Sequence, residues 1–236
     1  MPQHETWNMK DFEPKRLCSL LAVVCLSFFA INNLKAQSTP RIIVGAGANV
    51  ANVWYANEPF QATPPETRSS ITGLLIFGSV EFQLSDLWFL APQVTYIQKG
   101  ARFDNLYFNR GSMRFDMEYF QVMSKFALKL GPERIKLCLF ASPGIGINVA
   151  STLTEDVMSN TGALTSVTIS MRDETEPLEF VLDVGTGIEI VSAERTSLSL
   201  NTAYSFGLTR WNNGGNTQGY SESRGLHFFA GLGFRL

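Results

Sequence analysis

Long runs of alternating apolar and polar residues constrain this chain more than any other feature. Successive side chains of a β-strand point to opposite faces, so such runs predict strands with one apolar and one polar face. No stretch after Gln37 keeps a helical period over three turns, and the chain is therefore predicted to be all-β. The clearest run is 178–190, whose apolar face carries Leu178, Phe180, Leu182, Val184, Ile188 and Ile190 and whose polar face carries Glu179, Asp183, Gly185, Gly187 and Glu189.

Eight segments show this alternation, and most of them contain ten residues or more. Strands of globular proteins have a typical length of about five or six residues, whereas a tilted strand that crosses a membrane needs roughly nine to eleven. The lengths therefore favour membrane-spanning strands. The predicted segments are Arg41 to Val50, Thr72 to Leu84, Leu87 to Gly100, Arg114 to Leu130, Ile135 to Val149, Leu178 to Ile190, Leu198 to Leu208 and Leu226 to Leu236.

The connections between these segments alternate strictly between long and short. Tight turns are predicted around Ser85-Asp86, around Gly131-Pro132-Glu133 and around residues 192–195. The long links are Ala51 to Ile71, Ala101 to Met113, Ala150 to Pro177 and Arg210 to Arg224. Transmembrane β-barrels of bacteria have an even number of antiparallel strands with short turns at one end and longer loops at the other. The pattern predicts an eight-stranded antiparallel up-and-down transmembrane β-barrel with both termini on the periplasmic side.

The polar faces of the segments carry features that suit the inside of a narrow barrel. Gly-x-Gly pairs recur at Gly45, Gly144, Gly185 and Gly231, and glycine in a small barrel leaves room for larger neighbours. Acidic and basic residues on these faces are nearly balanced, as a hydrogen-bonded internal network requires. Solvated charges on a soluble sandwich are the alternative interpretation of the same residues. They are Glu81, Glu179, Asp183 and Glu189 with Lys99, Lys125, Lys129, Lys136 and Arg235.

The N-terminal segment has the organisation of a signal peptide. The basic pair Lys15-Arg16 precedes an apolar run of about 15 residues, which is shorter than a membrane-spanning helix. Small Ala36 suits the position before a cleavage site, so residues 1–36 are predicted to be removed and residues 37–236 to form the barrel domain. A retained membrane anchor is the alternative.

Five short motifs recur along the predicted strands. They are Tyr96-Ile97-Gln98-Lys99-Gly100, Tyr119-Phe120-Gln121-Val122, Asp183-Val184-Gly185-Thr186-Gly187, Tyr204-Ser205-Phe206-Gly207-Leu208 and Gly231-Leu232-Gly233-Phe234-Arg235-Leu236. In their order and spacing they resemble the PorT-like outer-membrane β-barrel family of the Bacteroidetes type, whose architecture is related to the small OmpX and OmpA barrels. The resemblance spans about residues 41–236. It implies export to the bacterial outer membrane, insertion by barrel-assembly machinery and contact with outer-membrane lipid.

The sequence lacks the motifs of common catalytic and cofactor sites. Gly45-Ala46-Gly47 resembles the start of a dinucleotide-binding fingerprint, but Val50 stands where the third glycine of that motif is required. His227 is the one histidine after residue 36. We therefore predict no catalytic, cofactor-binding or metal-binding residue and no cofactor, and we expect His227 to have a structural role in the lumen. A net charge of −2 disfavours nucleic-acid binding. An enzyme with its active site at the outer rim of the barrel would use acidic residues of the long links, although such a run of charges is usually a solvated loop. These residues are Glu155, Asp156, Asp173, Glu174 and Glu176.

Three functions remain open at this level. The first is a structural or loop-mediated binding role, centred on the link from Ser151 to Glu176, because loops on a rigid scaffold usually carry recognition. The second, implied by the family resemblance, is a subunit that supports protein secretion or envelope assembly through partner proteins. The third is a soluble, lipocalin-like periplasmic carrier whose apolar faces would turn inward around a ligand.

Overall fold

The computed structural model describes residues 39–55, 67–106, 111–158, 164–193, 195–209 and 221–236. The predicted signal peptide lies outside these residues. All regular elements within them are β-strands. In chain order they are β1 (Arg41–Tyr55), β2 (Thr67–Gln83), β3 (Trp88–Leu106), β4 (Gly111–Leu130), β5 (Ile135–Met158), β6 (Leu164–Ser170), β7 (Leu178–Ala193), β8 (Thr196–Gly207) and β9 (Ser221–Arg235).

Eight of these strands close into a barrel in which each strand pairs antiparallel with its neighbours. The order runs from β1 through β5, continues with β7, β8 and β9, and closes where β9 pairs with β1. The closing pair is in register from Arg41 opposite Arg235 to Tyr55 opposite Ser221. Closure satisfies the backbone polar groups of every barrel strand without leaving an edge. The predicted fold class is confirmed.

The strands reach further into the long links than the sequence pattern indicated. β5 continues to Met158, nine residues beyond the predicted end at Val149, and the ninth strand, β6, pairs with this extension. The link from Ala150 to Pro177 is thus largely a hairpin and not an irregular loop. Polar residues predominate in this link, and the apolar alternation in β6 is limited to Val167 and Ile169, which is too short to mark a strand in the sequence. Pairing with the neighbouring strand still satisfies the backbone polar groups.

The two ends of the barrel differ in their connections. The turn end contains the short connections 84–87 and 131–134 and both described chain ends, where the Leu236 amide donates to the carbonyl of Pro40. The loop end contains the hairpin of β5 and β6. A bulge at Val149 marks the start of the extension, because Glu118 faces Ala150 while Tyr119 faces Asn148.

The apolar faces of the strands point outward, and the polar faces point into the lumen. Val122 is 59% exposed, whereas its neighbour Gln121 is fully buried. This arrangement confirms the prediction that the polar faces of the strands line the lumen. It also contradicts the soluble-carrier hypothesis, which requires the apolar faces to surround an internal ligand. Outward apolar residues include Val44, Ile76, Val94, Phe120, Leu139, Ile147, Val184, Ile188, Leu200 and Phe228.

Glycines on the lumen face make room for aromatic rings, as predicted. A β-carbon at Gly45 would overlap the ring of Phe77, and one at Gly185 would overlap the ring of Phe140. Phe229 packs edge-on against both rings, with ring centroids 5.4 Å from Phe77 and 6.3 Å from Phe140. Aromatic side chains therefore fill space that a larger residue at the glycine positions would occupy.

Candidate functional site

The outward face of the barrel is divided into an apolar band and a polar zone. On β4 the band runs from Leu130 at the turn end to Phe120, and the next outward residues are Glu118, Asp116 and Arg114. Ten strand residues tilted at about 40° span about 25 Å, the height of the lipid-facing band of outer-membrane barrels. The band therefore matches the hydrocarbon layer, and the loop-end strands project beyond it.

The inward face becomes more apolar toward the loop end, whereas the outward face becomes more polar. A buried apolar cluster occupies the lumen there and includes Phe103 from β3 and Met117 from β4. Strands that project into water need a polar outside and an apolar inside, which is the reverse of their arrangement within lipid. The point of inversion on β4 lies between Phe120 and Glu118. The full buried cluster is Val53, Leu75, Phe77, Ile97, Ala101, Phe103, Met117 and Tyr119.

A four-residue charge cluster lies in the lumen near the turn end. The Lys129 amine donates to Glu81 at 2.7 Å and also to Glu189. Arg41 is paired with Glu189 and lies 3.6 Å from Glu81, so two cations and two carboxylates neutralise each other. Each carboxylate has two cationic partners, which offsets the desolvation that a buried charge suffers.

A second charged group lies further toward the loop end. Lys99, which is 3% exposed, donates to a carboxylate oxygen of Glu179 at 2.7 Å, and the hydroxyl of Ser223 donates to the same carboxylate. Between the two groups, Nδ1 of His227 lies 3.4 Å from Asp183. His227 is 1% exposed and faces the lumen, as the sequence predicted.

The structure corrects the predicted set of lumen charges at three positions. Arg235 is exposed, because it ends β9 at the rim, and Lys136 is only half-buried. Arg41 belongs to the turn-end cluster, whereas the sequence pattern identifies it only as the first residue of a predicted strand. The signal that could have identified it is its place on the same face as Gly45 and Gly47, which the alternation assigns to the lumen.

Side chains leave little free volume in the described lumen. A cavity of about 20 Å³ is lined by Glu81, Lys125 and Glu189 among others, and a second of about 10 Å³ is lined by Gln121, Lys125 and Asp183 among others. A cavity of roughly 10–15 Å³ holds a single water molecule. Within the described part of the barrel, neither cavity has room for a larger solute.

The loop-end extension forms a sheet that β6 terminates. β6 pairs with β5 from Thr152 opposite Ser170 to Met158 opposite Leu164, and it pairs with no other described strand. Its sequence, LTSVTIS, contains no charge and no proline. Val167 and Ile169 are both about half exposed. Natural edge strands usually carry Lys, Pro or a bulge that blocks further pairing, and β6 has no such protection.

Hydrogen bonds on the polar face attach β6 to the extension. Asp156 on β5 accepts hydrogen bonds from Ser166 on β6 and, at 2.9 Å, from Ser112 on β4. These two bonds favour the ionised carboxylate and lower the pKa of Asp156, and nearby Arg102 acts in the same direction. Thr154 and Thr168 also share a hydrogen bond of 3.1 Å. The position of β6 is therefore fixed by side chains as well as by backbone pairing.

The acidic residues that the sequence offered for a rim enzyme do not form one group. Glu155 and Asp156 are on β5, whereas Asp173 and Glu174 are exposed in the segment after β6. Glu176 is half-buried, and burial raises the pKa of its carboxyl group. Among the described residues, no set of three His, Cys, Asp or Glu side chains is placed to hold a metal ion, and no helix is long and apolar enough to span a membrane.

Aromatic residues cluster near the strand ends in the sequence, a pattern that predicts belts at the two membrane interfaces: Trp54, Tyr55, Trp88, Phe89, Phe103, Tyr107, Phe108, Trp211 and Tyr220. Trp88 is 52% exposed at the start of β3, but Phe89 and Phe103 are buried in the lumen. Phe89 and Phe103 alternate along β3 with the same parity as buried Lys99, which places them on the inward face. The prediction that these two residues lie at a membrane interface is therefore wrong. Tyr107, Phe108, Trp211 and Tyr220 lie outside the described residues.

Three solved outer-membrane proteins are similar in structure to this chain at low sequence identity. Neisserial surface protein A is 14% identical with a TM-score of 0.44, and the match covers 83% of this chain and 97% of that chain. A major outer membrane protein from Thermus thermophilus is 11% identical with a TM-score of 0.48, covering 84% and 99%. OprG from Pseudomonas aeruginosa is 13% identical with a TM-score of 0.47, covering 84% and 97%. No curated protein matches the sequence.

The family comparison covers most of the barrel. The model of the outer membrane protein β-barrel domain matches residues 35–211, which is well over half of the chain. This span includes β1 to β8, and the closed barrel with its outward apolar band agrees with the match. The chain belongs to the outer membrane protein β-barrel domain family, and its location is the bacterial outer membrane.

Proposed function

We propose that this protein is a non-catalytic binding protein whose recognition element is the free edge of β6. The observation that carries the proposal is an uncharged seven-residue strand that stands on the projecting extension and, among the described strands, pairs with β5 alone. A free strand edge presents unpaired backbone donors and acceptors to which an extended peptide segment can add as a further strand. The partner class is therefore a protein with an extended segment of alternating apolar and polar residues.

The orientation follows from the asymmetry of the two barrel ends. We place the turn end and both termini in the periplasm and the β5–β6 hairpin outside the cell, because short periplasmic turns and longer outer loops are the general pattern. The outward apolar faces of the barrel strands contact outer-membrane lipid in this arrangement. We also propose insertion by barrel-assembly machinery, supported by the alternation of apolar and polar residues along β9, which ends at Arg235.

A non-catalytic role is supported by the position of the histidine. His227 is buried beside Asp183 within the lumen, and the cavity of about 10 Å³ that both residues line in the described part of the barrel has no room for a substrate.

The experiment uses a fluorescent peptide with the β6 sequence as the probe and the folded full-length protein in lipid nanodiscs. We expect saturable binding, and we expect binding to be lost when alternate amides of the peptide are N-methylated, since these cannot pair. Val167→Pro in β6 should weaken binding at least tenfold. Ile147→Ala, at the edge of the apolar band, is the matched control and should bind normally.

Equal binding of the methylated peptide, or full binding by Val167→Pro, would contradict edge recognition. A role in secretion or envelope assembly, which the PorT-like resemblance implies, predicts a different outcome. Shortening the β5–β6 hairpin would then leave secretion intact, while changes in the 84–87 and 131–134 turns would reduce it.

A further inference from the structure

The turn end of the barrel carries four basic residues that form no ion pair within the described residues. Arg134, Arg195 and Arg235 are exposed, and Lys136 is half-buried. We call these four residues the basic arc. They differ from the two cations of the turn-end cluster in the lumen, each of which has carboxylate partners. Contacts within the described part of the chain therefore leave the positive charge of the basic arc uncompensated.

The pairing of neighbouring strands places the basic arc on one side of the barrel mouth. The Arg235 amide donates to the carbonyl of Arg195 at 2.9 Å, so these two residues are adjacent. The Val191 amide donates to the carbonyl of Arg134 at 2.9 Å, and Val191 is paired with Ser197 on β8. Since neighbouring strands are about 4.8 Å apart, Arg134 lies two strand spacings, or roughly 10 Å, from β8. Long basic side chains can reach a common ligand across this distance.

The basic arc faces the mouth of the lumen and not the lipid. Lys136 has the same parity along β5 as buried Cys138, whereas Ile135 before it is 54% exposed on the lipid-facing side. Arg235 likewise follows outward-facing Phe234 on β9. A ligand of the basic arc is therefore reached from the aqueous space at the turn end, and the phospholipids that surround the barrel lie on its other face.

The acidic residues of the turns do not balance the basic arc. Asp86 lies in the connection 84–87 and Glu133 in the connection 131–134, and both are exposed. Neither forms an ion pair with any residue that the structure describes, and Glu194 lies outside those residues. Four cations against two carboxylates leave this end with an excess of two positive charges. Cations held close together repel each other, and an anionic partner would relieve this repulsion.

We propose that the basic arc binds an acidic segment of a partner protein in the compartment that the turn end faces. Guanidinium groups bind carboxylates through paired hydrogen bonds. One exposed ion pair strengthens binding by about fivefold at most, so a small anion gains little here. A segment with several carboxylates engages the basic arc at several points at once and gains from each of them. The orientation proposed above places this partner in the periplasm, but the binding depends neither on that orientation nor on the β6 edge.

The test uses a fluorescent hexaglutamate peptide and the folded full-length protein in phosphatidylcholine nanodiscs at low salt. We expect saturable binding that weakens as sodium chloride is added, and no binding of a hexaglutamine peptide. The variant that combines Arg195→Gln with Arg235→Gln should bind the acidic peptide at least about fivefold more weakly, because it removes two of the four cations. If this variant does not fold, as judged by gel mobility before boiling, the combination of Arg134→Gln with Lys136→Gln replaces it.

The matched control combines Arg102→Gln with Arg114→Gln and removes the same charge at the loop end. These two arginines are paired with Asp104 and Asp116 at 2.8 and 2.9 Å. The control should bind the acidic peptide as the unaltered protein does. Equal weakening in both variants would show a response to net charge alone and would overturn the proposal. Absence of binding to the folded unaltered protein would do the same.

Anionic phospholipid is the competing ligand, and a stability measurement distinguishes it from a protein segment. If the basic arc bound lipid headgroups, the variant with Arg195→Gln and Arg235→Gln would be destabilised in vesicles that contain phosphatidylglycerol but not in phosphatidylcholine alone. We expect the same urea midpoint relative to the unaltered protein in both lipids. A loss confined to phosphatidylglycerol, with peptide binding unchanged, would assign the basic arc to lipid and refute the proposal. The β6 peptide experiment uses a different probe and the other barrel end, so its outcome is independent.

Discussion

Placing an arginine at successive heights on the outward face of β4 tests whether this face contacts lipid. Phe126 lies about 10 Å from the turn-end edge of an apolar band of about 25 Å, which is near the bilayer midplane. An exposed arginine at the midplane of a barrel destabilises it by about 2–4 kcal/mol, and near the interface by about 0–1 kcal/mol. We therefore expect Phe126→Arg to reduce the folding equilibrium constant by about 30-fold to 900-fold and Phe120→Arg, at the loop-end edge, by about fivefold or less.

The assay is urea-dependent folding into short-chain lipid vesicles, followed by tryptophan fluorescence and by the shift in gel mobility on boiling. Thr152→Arg is the control, since Thr152 faces outward beyond the band and lies opposite Asp116 on β4. This variant should fold with nearly unaltered stability. If Phe126→Arg and Thr152→Arg unfolded at the same urea concentration, the outward face of β4 would not be in hydrocarbon, and the membrane assignment of the band would fail.

Three further predictions concern the lumen and the loop end. Lys129→Met leaves two buried carboxylates with Arg41 as their one remaining cationic partner in the turn-end cluster. We therefore expect the free energy of unfolding, measured by urea denaturation, to fall by about 3–5 kcal/mol. An unchanged urea midpoint would contradict a stabilising role of the cluster. The lowered pKa of Asp156 stabilises the β6 pairing above the unfolded pKa of about 3.9, and this contribution disappears as pH falls through the lower folded pKa. The protection of the β6 amides from hydrogen exchange, relative to their intrinsic exchange rates, should fall in that range, and Asp156→Asn should remove this pH dependence. In planar bilayers the protein should show no steady open channel, because the described lumen cavities hold about one water each, and sustained conductance would refute the filled lumen.

The amino-acid sequence by itself determined the fold class, the strand count of the barrel and the sidedness of the strands. The alternation of apolar and polar residues is a local property, because successive side chains of a strand point to opposite faces. On β4, for example, Phe120, Val122 and Phe126 lie on one face, and Tyr119, Gln121 and Lys125 lie on the other. The glycine pairs and the balanced charges then identified the polar face as the lumen. Buried His227 was also assigned correctly, since its face follows from the alternation of β9.

The tertiary structure decided the length of the projecting strands and the partners within the lumen. The end of β5 has no apolar period, and the alternation in β6 is limited to Val167 and Ile169. Both faces of these segments lie outside lipid, so it is pairing with a neighbouring strand that makes them regular. Which cation meets which carboxylate depends on strands that are distant in sequence: Arg41 and Glu189 meet because β1 and β7 curve around the same narrow lumen. Alternation along one strand specifies a face, but barrel closure and register specify the neighbours on that face.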